Sequence, residues 1–223
     1  MKIKFGSLVI LLFFISSTAR SQVEITPFGG YIFDASFSVT NGKGTFLASP
    51  AYGLNVLVPF KYNEGAIDFT YQRQDTKIAV RANDNINVSN YLDTIETAIN
   101  YILVGGVYEF GKSKKAIPYG GINVGLGIVA NKEETGSINP FTFGFKAGLK
   151  LFASDRIGFR IQSELNIAML LEGSGFGCAI STSGNSCGFV VYSTTSVGQF
   201  GLTGGLIFKL QKQKKEDKQQ IGL

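Results

Sequence analysis

Residues 141–151 alternate strictly between large apolar and small or polar side chains, and this period constrains the chain more than any other feature. Successive side chains of a strand point to opposite faces. One face then carries Phe141, Phe143, Phe145, Ala147, Leu149 and Leu151, and the other Thr142, Gly144, Lys146, Gly148 and Lys150. The same period runs through 52–60, 66–74, 122–128, 157–167 and 199–210. In 157–167, for example, Ile157, Phe159, Ile161, Leu165 and Ile167 oppose Gly158, Arg160, Gln162, Glu164 and Asn166. Segments 23–33 and 95–110 are strand-like as well, with mixed faces that the pattern does not orient. The chain is therefore expected to be all-β with eight strands.

The breaks between these strands alternate in length. Segments 61–65, 111–116 and 153–156 are short, whereas 34–50, 76–93, 131–140 and 171–190 are long. In an up-and-down meander this sorting places all long connections at one end. That is the arrangement of a transmembrane barrel with short periplasmic turns and longer external loops, and strands of about 9–11 tilted residues suffice to cross a bilayer. Bore size assigns the faces. Eight strands enclose little more than their own side chains, so rows of Phe are expected outside, and Gly, Thr, Asn and paired charges inside. Glycine, at 28 of 223 residues, gains a cause: it relieves inward crowding. The alternative is a soluble lipocalin-like carrier, which requires an aromatic-lined ligand cavity.

The N-terminus reads as an address. Lys2 and Lys4 precede an apolar run from Phe5 to Ile15, and Ala19 and Ser21 fit the small positions before a cleavage site. A run of about eleven residues is too short for a helical span. We expect a cleaved signal peptide over 1–21, a barrel over 22–210 and a charged periplasmic tail over 211–223. The 21 Lys and Arg exceed the 16 Asp and Glu. Lys2, Lys4 and Arg20 fall in the signal, and the tail holds four cations and two anions. The barrel segment keeps 14 of each sign, so the hint of an anionic partner dissolves for the barrel and survives only for the tail, and no nucleic-acid partner is expected.

Histidine is absent, which excludes Ser-His and Cys-His dyads and His-ligated zinc. No catalytic, cofactor-binding or metal-binding residues are expected. Cys178 and Cys187 lie in one Gly/Ser-rich loop and read as a disulfide in an oxidising compartment; closing such a loop restricts the unfolded chain by roughly 2.7 kcal/mol. Asp68, Lys146, Lys150, Arg160 and Glu164 fall on inward positions and are expected to form a lumenal polar network, joined by Glu24, Glu96 and Glu109, since buried charges must be paired. An acid/base couple such as Glu164 and Asp68, or a charged conduction path, is the other reading of these residues. Tyr31, Tyr52, Tyr71, Tyr101, Tyr108 and Tyr119 are expected in aromatic girdles at the two membrane interfaces.

Residues 25–31, 105–111, 118–121 and 155–160 together resemble the small outer-membrane β-barrel proteins of Gram-negative bacteria, a group that includes OmpW-like and OmpX-like barrels. The resemblance spans nearly all of 22–210 and carries no catalytic residues. Strand-final Phe208 and Leu210 fit its closing strand, although thirteen residues follow. The resemblance implies contact with outer-membrane lipid and lipopolysaccharide, delivery by the outer-membrane assembly machinery, and a monomer. A non-enzymatic envelope scaffold or surface-interaction protein acting through its external loops is expected. The alternative is a narrow channel or lateral conduit for small apolar molecules, as in OmpW.

Overall fold

A sheet whose two edges meet has no unpaired backbone left along its wall, and this chain reaches that state with eight strands. The computed structural model describes residues 23–39, 42–60, 64–82, 93–111, 115–132, 137–169, 177–181, 184–188 and 196–210. The expected signal peptide and tail lie outside the described residues. The barrel strands are β1 (Val23–Ile32), β4 (Ser49–Pro59), β5 (Gly65–Ala82), β6 (Asp93–Glu109), β7 (Ala116–Asn131), β9 (Phe141–Phe152), β10 (Ile157–Met169) and β13 (Ser196–Leu210). Each pairs antiparallel with the next, and β13 returns to β1 with Val23 opposite Leu210 and Ile32 opposite Gly201. The fold is a closed, eight-stranded, up-and-down antiparallel barrel.

The long connections contain more structure than their sequence suggests. Segment 34–50 folds into β2 (Ala35–Val39) and β3 (Gly42–Phe46), a hairpin that pairs with the upper part of β5. β8 (Ser137–Ile138) pairs with β7, and β11 (Gly177–Ser181) pairs with β12 (Gly184–Gly188) in a separate two-stranded hairpin. The barrel strands also overrun the expected limits. The ladder between β5 and β6 continues to Val80 opposite Asp93, so much of the expected 76–93 loop is wall. At the other end the turns are tight. Ser154 Oγ accepts from Ile157 N at 3.1 Å, and Gly111, at φ 98°, takes the left-handed conformation that lets the chain leave β6.

The faces are assigned by burial. Ile102, Ile122, Leu126, Phe145, Ile161 and Leu202 are among the large apolar side chains exposed on the outer wall. Inward positions hold Asp68, Gln72, Asn123, Thr142, Lys146, Gln162 and their neighbours. Inward glycines make this possible, because their missing side chains are the space that neighbours fill. A Cβ on Gly144 would collide with Asn123 and Asn166, and one on Gly148 would meet the Tyr119 ring and hydroxyl. Outward Gly106 has open space instead.

Gly144→Val should therefore abolish or strongly reduce the compact, heat-resistant folded band on electrophoresis, while Gly106→Ala should stay within about 0.5 kcal/mol of the parent. Equal stability of the two variants would contradict this account of the inward glycines.

Candidate functional site

The lumen is where the fold buries charge among the described residues, and three layers fill it. Near the turn end, β9 supplies Lys150, whose Nζ donates to Glu24 Oε2 on β1 at 2.6 Å and to Glu109 Oε1 on β6 at 2.5 Å. Lys209 on β13 adds a second cation to Glu24 at 3.4 Å and lies over the Phe152 ring. Lys150 is only 1% exposed, so it is held by its two carboxylates and by the Tyr119 ring, 5.7 Å from its Nζ.

One layer further in, Asp68 on β5 accepts three hydrogen bonds from three residues. Lys146 Nζ reaches Oδ1 at 2.9 Å, Thr70 Oγ1 donates to the same oxygen at 2.7 Å, and Asn55 Nδ2 donates to Oδ2 at 2.9 Å. Asn55 Oδ1 accepts in turn from Arg160 Nη1 at 2.8 Å, and the Arg160 guanidinium packs over Phe28. Gln162 joins this layer to the next. It accepts from the Tyr119 hydroxyl at 2.8 Å and donates to Glu164 Oε2 at 2.9 Å. Tyr101 closes the polar part by donating to Gln199 Oε1 at 2.7 Å.

Asp68, Lys146, Lys150, Arg160 and Glu164 thus all lie buried in the lumen, with Glu24 and Glu109 beside them. Lys146 pairs with Asp68, and Lys150 with Glu24 and Glu109. Glu96 does not join. It projects from the outer face of β6 and meets Lys77 at 3.5 Å. Two tyrosines also depart from the expected girdles. Tyr101 and Tyr119 occupy inward positions of β6 and β7, where their hydroxyls find amide partners, while Tyr31, Tyr52, Tyr71 and Tyr108 are exposed on the outer face. Asp68 and Glu24 spend both oxygens on cations, hydroxyls or amides, whereas Glu164 engages Oε2 through Gln162 and leaves Oε1 without a hydrogen-bond partner; the described residues contain no cluster of three or more acidic or cysteine side chains placed to hold a metal ion.

The third layer is one that the period-two reading missed. Toward the loop end the bore fills with an apolar cluster including Phe37, Phe46, Ile78, Ile95, Ile99 and Val129. The β2–β3 hairpin delivers Phe37 and Phe46, whose rings pack at 5.1 Å. On β5 the exchange is visible along one strand. Outward residues pass from Ile67, Phe69 and Tyr71 to Arg73, Asp75 and Lys77, while inward ones pass from Asp68 through Gln72 and Gln74 to Ile78. Cys178 and Cys187 stand directly opposite each other in the β11–β12 ladder; their side chains lie outside the described residues.

A closed eight-stranded meander with apolar side chains outside and charges within decides the comparison with known structures. The fold is that of the small outer-membrane β-barrels. Neisserial surface protein A shares it at a TM-score of 0.54 and 10% identity, over 84% of this chain and 97% of that one. The outer membrane protein OprG from Pseudomonas aeruginosa shares it at 0.53 and 11%, over 86% of this chain and 96% of that one. No family profile and no curated protein matches the sequence.

In this small outer-membrane barrel fold the lumenal pairs are tested by breaking one. Lys146→Met leaves the Asp68 carboxylate buried without its cation and should cost about 3–5 kcal/mol in urea unfolding from lipid vesicles. Adding Asp68→Asn to it should recover much of that loss. A single variant that unfolds like the parent would remove the network's structural role.

Proposed function

We propose that the chain is an integral outer-membrane barrel, monomeric and non-enzymatic, that serves as an envelope scaffold or surface-interaction protein through its loop-end connections. The observation that carries this reading is the exchange of polarity along the wall. An apolar band outside a charged lumen suits hydrocarbon, where only closed barrels and helices satisfy their backbones. Above Tyr71 the order reverts to charges outside and apolar packing inside, as water requires. Layers of ion pairs, amides and apolar side chains fill the bore, which favours a scaffold over a pore. Loops on rigid walls are where such proteins carry recognition.

A second reading is a lateral path for small apolar molecules. It is favoured by the loop-end apolar cluster and by the position of β2, which lies beside β13 without sharing a ladder with it among the described residues.

Planar-bilayer recording and uptake of an apolar solute into protein-loaded vesicles separate the two. The scaffold reading expects neither conductance nor uptake above empty vesicles; uptake without ion conductance would transfer the assignment to the conduit. Recovery of the protein in the aqueous envelope fraction would remove both.

The hairpin cysteines are read as a disulfide. Directly opposed residues of an antiparallel pair have Cα atoms about 4.5–5.5 Å apart, within the roughly 4.4–6.8 Å that a disulfide spans. Alkylation of the native, unreduced protein followed by mass measurement should add no label, and reduction should expose two thiols. Two labels without reduction would exclude the bond.

A further inference from the structure

One side of the outer wall carries charges to which neither reading gives a ligand. Outward on β5, Arg73 follows Tyr71, and Asp75 and Lys77 follow in turn. Two residues of a strand advance about 7 Å, so Arg73 stands one step beyond the exposed Tyr71 ring. It also lies opposite exposed Tyr52 on β4 and opposite Asn100 on β6, and Asn100 Oδ1 accepts from the Tyr71 hydroxyl at 3.0 Å. Tyrosines in this position mark the edge of the hydrocarbon.

The cations are held in place. Arg73 donates to Asp75 through Nε at 3.2 Å and through Nη2 at 3.0 Å. Lys132, just past β7, meets the same carboxylate at 3.0 Å. One carboxylate thus orients two cations and leaves an excess positive charge. Hydrogen bonds from Arg73, with Lys132 beside it, hold the Asp75 carboxyl below the ordinary carboxylate range, so it stays ionised at neutral pH. Lys77 is matched by Glu96, and exposed Lys43 extends the patch onto β3, opposite Arg81. Lys43, Arg73, Lys77 and Lys132 outnumber Asp75 and Glu96 by two. At the same end, β9, β10 and β13 present Phe141, Phe143, Leu165, Ile167 and Phe200 outward, and none of their described outward side chains is charged. Among the described residues the positive collar is therefore one-sided, at the height of the tyrosines that mark the hydrocarbon edge.

We propose that the Arg73–Asp75–Lys132 collar is a binding site for the phosphate of a membrane-anchored, phosphorylated glycolipid. The arginine fork and the lysine ammonium take the phosphate oxygens, Asp75 fixes their spacing, and Tyr71 and Tyr52 flank the sugar and acyl region. This site rests on the membrane reading above.

The test uses the full chain folded into phosphatidylcholine vesicles containing either diphosphoryl lipid A or lipid A stripped of phosphate, with native mass spectrometry to count lipid retained per barrel. The parent should retain the diphosphoryl form and release the dephosphorylated one. Each surface cation contributes about fivefold, so the double variant Arg73→Gln, Lys132→Gln should bind roughly twenty-five-fold more weakly. Asp75→Asn keeps an oxygen that accepts from Arg73 while removing the competing negative charge, so it should bind more tightly, an opposite effect that a loss of folding cannot imitate. Millimolar inorganic phosphate should not displace the lipid. Equal retention by the double variant, equal retention of dephosphorylated lipid, or displacement by inorganic phosphate would each overturn the site. A barrel that stays in the aqueous phase and never enters vesicles fails the membrane reading instead.

Discussion

The ladder between the first and last strands is the contact from which the rest of the structure follows. With Val23 opposite Leu210 and Ile32 opposite Gly201, the eight barrel strands keep no free edge over the height of that ladder, and hydrocarbon would supply no partner for one. Closure at eight strands then fixes the bore. A bore of that width admits side chains and little else, so every inward position must be small, or must reach across to a partner on another strand. Long-range hydrogen bonds such as Lys150 to Glu24 and Tyr101 to Gln199 are the result of that geometry.

Glycine and the long polar side chains are two halves of one packing solution. Asn123 and Asn166 project into the room above Gly144, and Tyr119 into the room above Gly148. Each long side chain needs a neighbour without one, and each such gap needs a filler, because interiors tolerate few voids. Charges in this setting contribute mainly by being matched. Removing one member of a buried pair costs far more than the pair contributes against an apolar replacement. Lys146 and Asp68 therefore act less as stabilisers than as constraints on which strand faces which.

Most of the barrel could be read from the sequence because period-two alternation survives wherever both sides of the wall keep the same solvent. Residues 141–151 and 157–167 are such cases, and Lys146, Lys150, Arg160 and Glu164 were legible from them. Segment 95–110 resisted orientation for a physical reason. Its outward row runs from Tyr108, Val104 and Ile102 to Glu96, and its inward row from Leu103 and Tyr101 to Ile99 and Ile95. One strand passes through two environments, so each face averages to mixed. The same crossing explains why Glu96 is outside and Tyr101 inside. The β2–β3 hairpin was hidden differently: Ser, Gly and Thr dominate it, and only Phe37 and Phe46 signal an inward face.

The polarity exchange also bears on what can pass through the wall. Among the described lumenal side chains, a hydrated ion entering from the loop end would meet Phe37, Phe46, Ile78 and Ile99 before any charge. It would have to shed water against side chains that offer nothing in return, which is how apolar constrictions block conduction. Beyond them, Lys146 and Lys150 already hold their carboxylates. An apolar solute faces the opposite situation: the first layer welcomes it and the charged layers below stop it. This stacking of described side chains supports the proposed scaffold over a straight-through pore, for each class of solute by different means. On the conduit reading an apolar solute would leave sideways, within the height of the apolar layer. Among the described residues the β2 flank lies beside β13 at that height without a shared ladder, so the two proposed readings differ in one physical quantity, the ease with which that flank parts.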